Sequence, residues 1–404
     1  MDLWLNESAF LKLLRLPANK VQLGAPLPWN VRDSEGRLLL SRGQIVSSET
    51  QLESLLQRGA FVDFEEAKAA EQILGESKLL VSDGNAGLVR NEKSLFEKWD
   101  DLPGSLRAML DEIKTSSDAP NRIAGFVQAI VALVDLDVDV ALYHAVRQET
   151  ADLFYYGYSH AIQTAVLCQV MARRLAWTEQ KMVSLMSAAI TMNVPIFSLQ
   201  GQLAKQDEPV RESQKAIIRQ HPRDAHEWLI GVGIADQDWL SAVNEHHERT
   251  DGSGYPKGLS QVTGMAVALR VTDVFMAKIS HRKVRSALSI KDAAKQLYIE
   301  DHGGPLSSAI IKEFGIFPPG EVVKLTSGEI GVVMRRTASG KSPIVAAITD
   351  TAGRLIAHTL QRDTSKPEFA ILGSVPPPDF ISRLPPERIY GYSTMKAPDP
   401  LKAA

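Results

Sequence analysis

The segment His246-His247-Glu248-Arg249-Thr250-Asp251-Gly252-Ser253-Gly254-Tyr255-Pro256-Lys257-Gly258-Leu259 says most about this 404-residue chain. Two adjacent imidazoles stand directly before a glycine-rich loop. Imidazole is the commonest neutral metal ligand, and several histidines with a carboxylate suit Zn, Fe or Mn. Scattered histidines are usually ordinary polar residues, but the pairing of His246 with His247 beside the loop points to a metal-site origin. Gly252 and Gly254 permit positive φ and Pro256 fixes the following turn. Tyr255 is then held as an amphipathic knob.

Outward from this segment, from Asn121 to about Phe314, the pattern is helical. Apolar residues recur at three- and four-residue steps through Ile123–Val134, Ala161–Leu175 and Met182–Ile190, with no alternation long enough for a sheet. His160, His221 and His226 fall in this region, and Asp273 sits on an expected helix between Arg270 and Ala277, placed to supply a carboxylate. Cys168, on an apolar helix face, reads as a core residue.

The flanks differ in character. Residues 1–65 read as a small α+β module, with a hairpin around Asp33-Ser34-Glu35-Gly36 and a helix from about Ser48 to Gln57 stopped by Gly59. Residues 66–120 read as a helical connector, interrupted at Pro103-Gly104 and ended by Thr115–Pro120. After Pro318-Pro319-Gly320, the runs Glu321–Leu325, Glu329–Arg335, Ile344–Thr349 and Arg354–Ala357 read as strands of a small β domain over 315–375. Residues 376–404 hold seven prolines and read as a loose tail.

Composition narrows the function classes. The chain is 44% apolar and 23% charged with a net charge of −3, which argues against a polybasic nucleic-acid binder and a disordered acidic protein. A single cysteine excludes a disulfide framework and a cysteine zinc finger. The longest nearly apolar run, Ile123–Val134, is short for a bilayer span, and Met1–Glu7 lacks the features of a signal peptide. The expectation is a cytoplasmic multidomain protein with no DNA or membrane partner.

The glycine-loop segment resembles the signature of HD-GYP domains, and the resemblance extends over roughly residues 140–300. Tyr158-Ser159-His160 resembles the family's first histidine, His221-Pro222 its His-Pro step, and Ala268–Phe275 the later helix with a ligand aspartate at Asp273. His226 lies off the motif and reads as structural. The resemblance implies a mainly α fold: an HD-type helical bundle, flanked here by the N-terminal α+β unit and the C-terminal β domain. It implies metal-dependent phosphodiesterases of cyclic di-GMP, with iron or manganese held by His and Asp, and a bridging hydroxide that attacks phosphorus. It also implies a bacterial signalling role, a homodimer, and contacts between the loop (Arg249, Asp251, Gly252, Gly254, Tyr255, Pro256, Lys257) and GGDEF-domain proteins.

One departure outweighs the match. Where the family carries an apolar helix ending in His-Asp-Ile-Gly-Lys, this chain has Ala188-Ala189-Ile190-Thr191-Met192-Asn193-Val194-Pro195-Ile196. Asn193 and His221 are 28 positions apart, the separation expected between the family's Asp and its His-Pro step. Met192 therefore replaces the histidine, Asn193 the metal-bridging aspartate and Ile196 the lysine, leaving no intact catalytic set. A thioether binds hard cations poorly, a neutral amide bridges two cations poorly, and an isoleucine removes a cation facing phosphate. Pro195 also disfavours helix at Val194. A partial ligand set survives in His160, His221, His246, His247 and Asp273, suited to one divalent metal (Fe, Mn or Zn) or none. The expectation is a degenerate, non-catalytic protein that senses cyclic di-GMP or docks partners through the loop. The alternative is a weakly active phosphodiesterase. A second cationic run, Arg282-Lys283 with Arg285 after His281, reads as a solvated face, with a contact to dinucleotide phosphates as the other reading.

Overall fold

Leu95–Ile113 forms one helix, α1, that continues through Pro103 instead of breaking at Pro103-Gly104. Proline in a helix interior costs about 3 kcal/mol. Here Phe96, Trp99, Leu102, Leu106, Met109, Leu110 and Ile113 form one buried stripe across the proline. Burying each such side chain contributes roughly 1.5–3 kcal/mol, so the stripe outweighs the lost hydrogen bond.

The computed structural model describes residues 94–113, 118–147, 153–280, 287–338, 340–378, 380–381 and 384–390, with a discontinuous set between 13 and 63. The chain divides into two compact units, 1–92 with 378–385, and 93–377 with 386–404. In the first, β1 (Leu13–Arg15), β2 (Val31–Arg32), β3 (Leu38–Leu40) and β4 (Phe61–Asp63) form an antiparallel sheet in the order β1-β4-β2-β3. The expected hairpin is β2–β3, pairing Val31 with Leu40. Its turn residues 34–36 and most of the expected 48–57 helix lie outside the described residues. Trp29, Val31, Val46 and Val62 belong to this unit's core.

The second unit is a helical bundle carrying a β-sheet. After α1 come α2 (Ala119–Leu136), α3 (Val138–Arg147), α4 (Tyr156–Arg174), α5 (Glu179–Thr191), α6 (Phe197–Lys205), α7 (Glu212–Gly231), α8 (Gln237–Glu245), α9 (Gly264–Ile279), α10 (Ile290–Glu300) and α11 (Pro305–Phe314). Fourteen of the 19 residues of α4 are buried, so this helix is apolar nearly all round and takes the central place. It packs against α1, α2, α3, α5, α6, α9 and α11. Cys168 on α4 is fully buried beside Thr272, Sγ to Oγ1 3.3 Å, as expected of a core residue. Thr178, Asp236, Thr263 and Ser289 cap the starts of α5, α8, α9 and α10 through their side chains. Two stretches, Ala119–Leu136 and Glu179–Lys205, reach the length and hydropathy of a membrane span, with 33% and 72% of their most apolar 18-residue window buried inside the fold. The second is broken by a 3-10 turn, Val194–Ile196, at Pro195, and both pack within the bundle.

The C-terminal sheet is antiparallel, in the order β8-β7-β6-β5-β9. Its strands are β5 (Val322–Leu325), β6 (Ile330–Arg335), β7 (Ile344–Thr349), β8 (Leu355–Asp363) and β9 (Ile371–Ser374). β8 runs six residues past the expected end at Ala357, and β9 was not anticipated. Both are edge strands, where one face meets solvent and the apolar pattern is weak. The loose tail expected over 376–404 is also corrected in part. Pro386–Tyr390 forms a short helix, α12, with Ile389 and Tyr390 buried. The Tyr390 hydroxyl donates to the Met334 carbonyl at 3.1 Å. Most of the remaining tail lies outside the described residues. Arg335 pairs with Asp137, and Arg336 bridges Asp139 and Glu313, tying β6 to α3 and α11.

Glu321, at the start of the sheet, gives a pH-dependent prediction. Burial raises its carboxyl from the ordinary 4.5 to about 7, against the lowering effect of a hydrogen bond from Ser374. Its Oε2 is buried without a partner. The folded pKa exceeds the unfolded one, so the folded state holds the proton across that window and stability falls as pH rises through it. The full effect is about 3 kcal/mol. Glu321→Gln is therefore expected to raise the melting temperature by several degrees at pH 8 and leave it nearly unchanged at pH 4.5. An equal shift at both pH values in thermal melts contradicts this.

Candidate functional site

The surviving ligand candidates come from four helices. His160 lies near the start of α4, His221 midway along α7, His246 at the C-cap of α8 with His247 following, and Asp273 midway along α9. α8 packs on α5, α7 and α9, and α7 packs on the 3-10 turn after α5. These packings bring positions from the middle of α7 and the end of α8 together.

Two groups result. In the first, His160 Nε2 lies 2.7 Å from Asp273 Oδ1, with both side chains buried. The His160 ring stacks on Tyr156 at 6.2 Å, and its Nδ1 is buried without a partner. Burial opposes ionisation of Asp273, but the hydrogen bond and field of His160, with those of His247 and His246, hold its carboxyl well below the usual range.

In the second group, ligand-capable atoms of His221, His246 and His247 lie within 4.8 Å of one another. His221 Nδ1 donates to the Ile218 carbonyl at 2.5 Å, and His246 Nδ1 to the Val243 carbonyl at 2.7 Å. A carbonyl only accepts, so each imidazole carries its proton on Nδ1 and presents a bare lone pair at Nε2. Those two Nε2 atoms face each other at 3.1 Å. Two opposed lone pairs are satisfied by a shared proton or by a cation between them. Burial, with the neighbouring His246, pushes His221 down to about 3, and burial also lowers His246, so a shared proton is disfavoured at neutral pH. Burial, then His246, lowers His247 well below its ordinary range. Neutral imidazoles with outer nitrogens anchored to backbone carbonyls are the form that ligates metal, so the donors present fit a divalent cation. His226 is half-buried and is not one of the three clustered histidines.

The glycine loop is built onto the second group. Tyr255 stacks on His247 at 4.6 Å, and its backbone N–H donates to the His247 carbonyl at 3.2 Å. Gly252 has φ +74°, as its placement in a turn suggested. Gly254 is required for space: a Cβ there would lie 2.5 Å from Glu248 Cα and from the Arg249 nitrogen. Asp251 closes the tip by accepting from Ser253 N–H at 2.9 Å. Glu248 is the residue that sequence reasoning passed over. It is 1% exposed, and its two oxygens accept the N–H groups of Lys257 at 2.7 Å and Leu259 at 2.9 Å. Contacts nine and eleven positions downstream follow no local period, so spacing gave no sign of them. Arg249 and Lys257 are exposed on the loop. Arg270 lies within electrostatic reach of Arg249, and Arg219 of Tyr255, which adds cations that sequence reasoning had not grouped with the loop. The Arg282, Lys283 and Arg285 run lies outside the described residues.

The three residues at the end of α5 are uncharged and buried. Met192 is fully buried at the C-cap of α5, Asn193 is 3% exposed and Ile196 4%. Trp239 Nε1 donates to Thr191 Oγ1 at 2.9 Å and fixes this end of α5 to α8.

Residues 144–302 match the HD domain family. A cyclic di-GMP phosphodiesterase of Pseudomonas aeruginosa is 26% identical over 200 residues, 48% of each chain. A 3'3'-cGAMP-specific phosphodiesterase of Vibrio cholerae is 25% identical over 163 residues, 38% of this chain and 36% of that one. The solved HDG"Y"P protein Bd1817 of Bdellovibrio bacteriovorus aligns at 17% identity with a TM-score of 0.41, over 74% of this chain and 98% of that one. The chain spans about half or less of the length of these two curated relatives.

Proposed function

We propose that the HD domain at residues 144–302 serves a degenerate HD-GYP-type signalling protein, one that senses cyclic di-GMP or docks partners such as GGDEF-domain proteins through its glycine loop. The observation that carries this reading is the buried, uncharged trio Met192, Asn193 and Ile196, at positions where the resemblance implies His, Asp and Lys. Without an anion there, two cations have no bridge. Removing one well-placed electrostatic group typically costs on the order of 10²–10³ in rate, so three losses together abolish useful turnover. The loop, by contrast, keeps its full construction: Gly254 against the His247–Arg249 backbone, Glu248 holding two N–H groups, and Tyr255 on His247. Arg219, Arg249, Arg270 and Lys257 supply positive charge suited to a dinucleotide's phosphates.

The second reading, a weakly active phosphodiesterase, draws on the convergence of His221, His246 and His247. Calorimetry with cyclic di-GMP, run beside a turnover assay with added manganese or iron, tests both. The expected result is micromolar binding with no linear product. Rapid linearisation establishes the enzyme instead. Absence of binding to both the nucleotide and GGDEF-domain proteins reduces the domain to a scaffold.

A further inference from the structure

We infer that the cavity between α2, α5 and the start of α8 is a binding site for a small neutral aromatic molecule that carries one hydroxyl or N–H group. This stands apart from the proposed function, because none of His160, His221, His246, His247 and Asp273 lines the cavity. Its volume is about 200 Å³. An apolar cavity of roughly 150 Å³ holds benzene, so this one takes a substituted ring or a fused pair the size of indole. Ala124 of α2, Val183 of α5, Ile234 and Trp239 form apolar walls. Trp239 is 5% exposed and gives an aromatic surface for a ring to pack on.

The polar side of the cavity is a row of hydroxyls. Ser184, Ser187 and Thr191 stand three and four positions apart, on one face of α5. Ser184 donates to Asp236 Oδ2 at 2.6 Å, and Thr191 donates to the Ser187 carbonyl at 2.6 Å. Ser187, between them, is 1% exposed and lines the cavity, and its hydroxyl makes no hydrogen bond among the described residues. A buried hydroxyl is ordinarily bonded. Water is a weak occupant, because it needs two to four polar partners and the other polar groups of the wall are engaged. Asp236 Oδ1 accepts the Trp239 backbone N–H at 3.0 Å, and its Oδ2 accepts from Ser184. A ligand's own hydroxyl or N–H satisfies Ser187 while its ring covers the apolar walls. The Asp236 carboxylate repels an anion, and with both oxygens already accepting it is a weak anchor for an ammonium. Trp239 carries occupancy to the end of α5, since the indole that walls the cavity also bonds Thr191 beside Met192.

The test is calorimetry of the full chain with indole, phenol and toluene, beside benzoate and benzylamine. Indole is expected to bind one per chain with a dissociation constant of roughly 0.1–1 mM, within the ceiling for so small a ligand. Benzoate and benzylamine are expected to bind at least about 10-fold more weakly than phenol, because each buries a charge. Ser187→Ala is expected to weaken phenol by roughly 2- to 12-fold and leave toluene unchanged, since only a hydrogen bond is lost. Ala124→Leu, at a half-buried wall position, is expected to fill the space and weaken every neutral ring at least about 10-fold while melting like wild type. On the unaltered chain, indole at about ten times its dissociation constant is expected to slow amide exchange at Thr191 and Met192 by up to about tenfold. Each of four results overturns the proposal. They are no neutral ring bound with a constant below about 10 mM, phenol and toluene responding alike to Ser187→Ala, Ala124→Leu binding like wild type, or benzoate or benzylamine binding as tightly as phenol.

Discussion

Met192→His, Asn193→Asp and Ile196→Lys, made together, are expected to raise metal content per chain above that of wild type and to bring cyclic di-GMP hydrolysis up at least about 100-fold over wild type. The rate expectation follows from restoring electrostatic groups each worth on the order of 10²–10³. The three positions are 0%, 3% and 4% exposed, and this sets the cost. An aspartate in place of buried Asn193 is an uncompensated charge unless a cation meets it, and breaking or omitting one partner of a buried pair costs about 3–5 kcal/mol. The metal-free triple variant is therefore expected to melt several degrees below wild type, and manganese or iron to reverse that loss. Wild type is expected to gain little from manganese. The diagnostic is this difference in metal response, read by thermal melts alongside metal analysis and product assay. If the variant is as stable as wild type without metal and gains nothing from it, Asn193 does not occupy the bridging position, and the reading of the α5 end is wrong.

The chain's chemistry was legible in part before its fold. The signature around His246 and His247 and the helical period from Asn121 to Phe314 both point to a helical bundle, and all elements described between 119 and 314 are helical. Spacing assigned the α5 end by the 28 positions between Asn193 and His221, an assignment that the triple substitution tests. Spacing could not show that the ligand candidates split into two groups. Whether Asp273 meets His160 or the other histidines depends on how α4 and α9 cross, a tertiary fact with no local signature. The tautomers of His221 and His246 were equally hidden. They follow from the carbonyls of Ile218 and Val243 three residues upstream, which only a helical backbone brings under the ring. Pro103 misled for a related reason. Local propensity marks a break there, and the buried stripe on both sides of it decides otherwise. At β8 and β9 the apolar signal is diluted, since edge strands alternate toward solvent and end where pairing ends.

Glu248→Gln is expected to unfasten the glycine loop while sparing the bundle. In the native chain each carboxylate oxygen accepts one backbone N–H, from Lys257 and from Leu259. A glutamine keeps one acceptor and turns an NH₂ group toward the other N–H, so one charge-assisted bond is lost and a buried donor is left facing a donor. The first loss is about 1.5–3 kcal/mol and the second about 1–3 kcal/mol, a sum comparable to the free energy of opening a surface loop. Amide exchange at Lys257 and Leu259 is therefore expected to accelerate by roughly 100- to 10,000-fold, at about 1.4 kcal/mol per tenfold. Exchange in the interior of α4 is expected to stay as it is. Binding of a nucleotide or GGDEF-domain partner that uses Arg249, Tyr255 or Lys257 is expected to weaken at least 10-fold, because these side chains are positioned by the backbone that Glu248 holds. Gly254→Ala approaches the same loop from the other face, placing a Cβ 2.5 Å from the Arg249 nitrogen, and is expected to give the same exchange pattern. Glu245→Gln provides the contrast. Among the described residues its carboxylate accepts the Thr263 N–H alone, in a more exposed setting, so a glutamine oxygen suffices and little is expected to change. If Glu248→Gln leaves the Lys257 and Leu259 amides as protected as before, the loop is held by its own turn and by the Tyr255–His247 stack. Partner docking then depends on the histidine cluster rather than on the buried carboxylate.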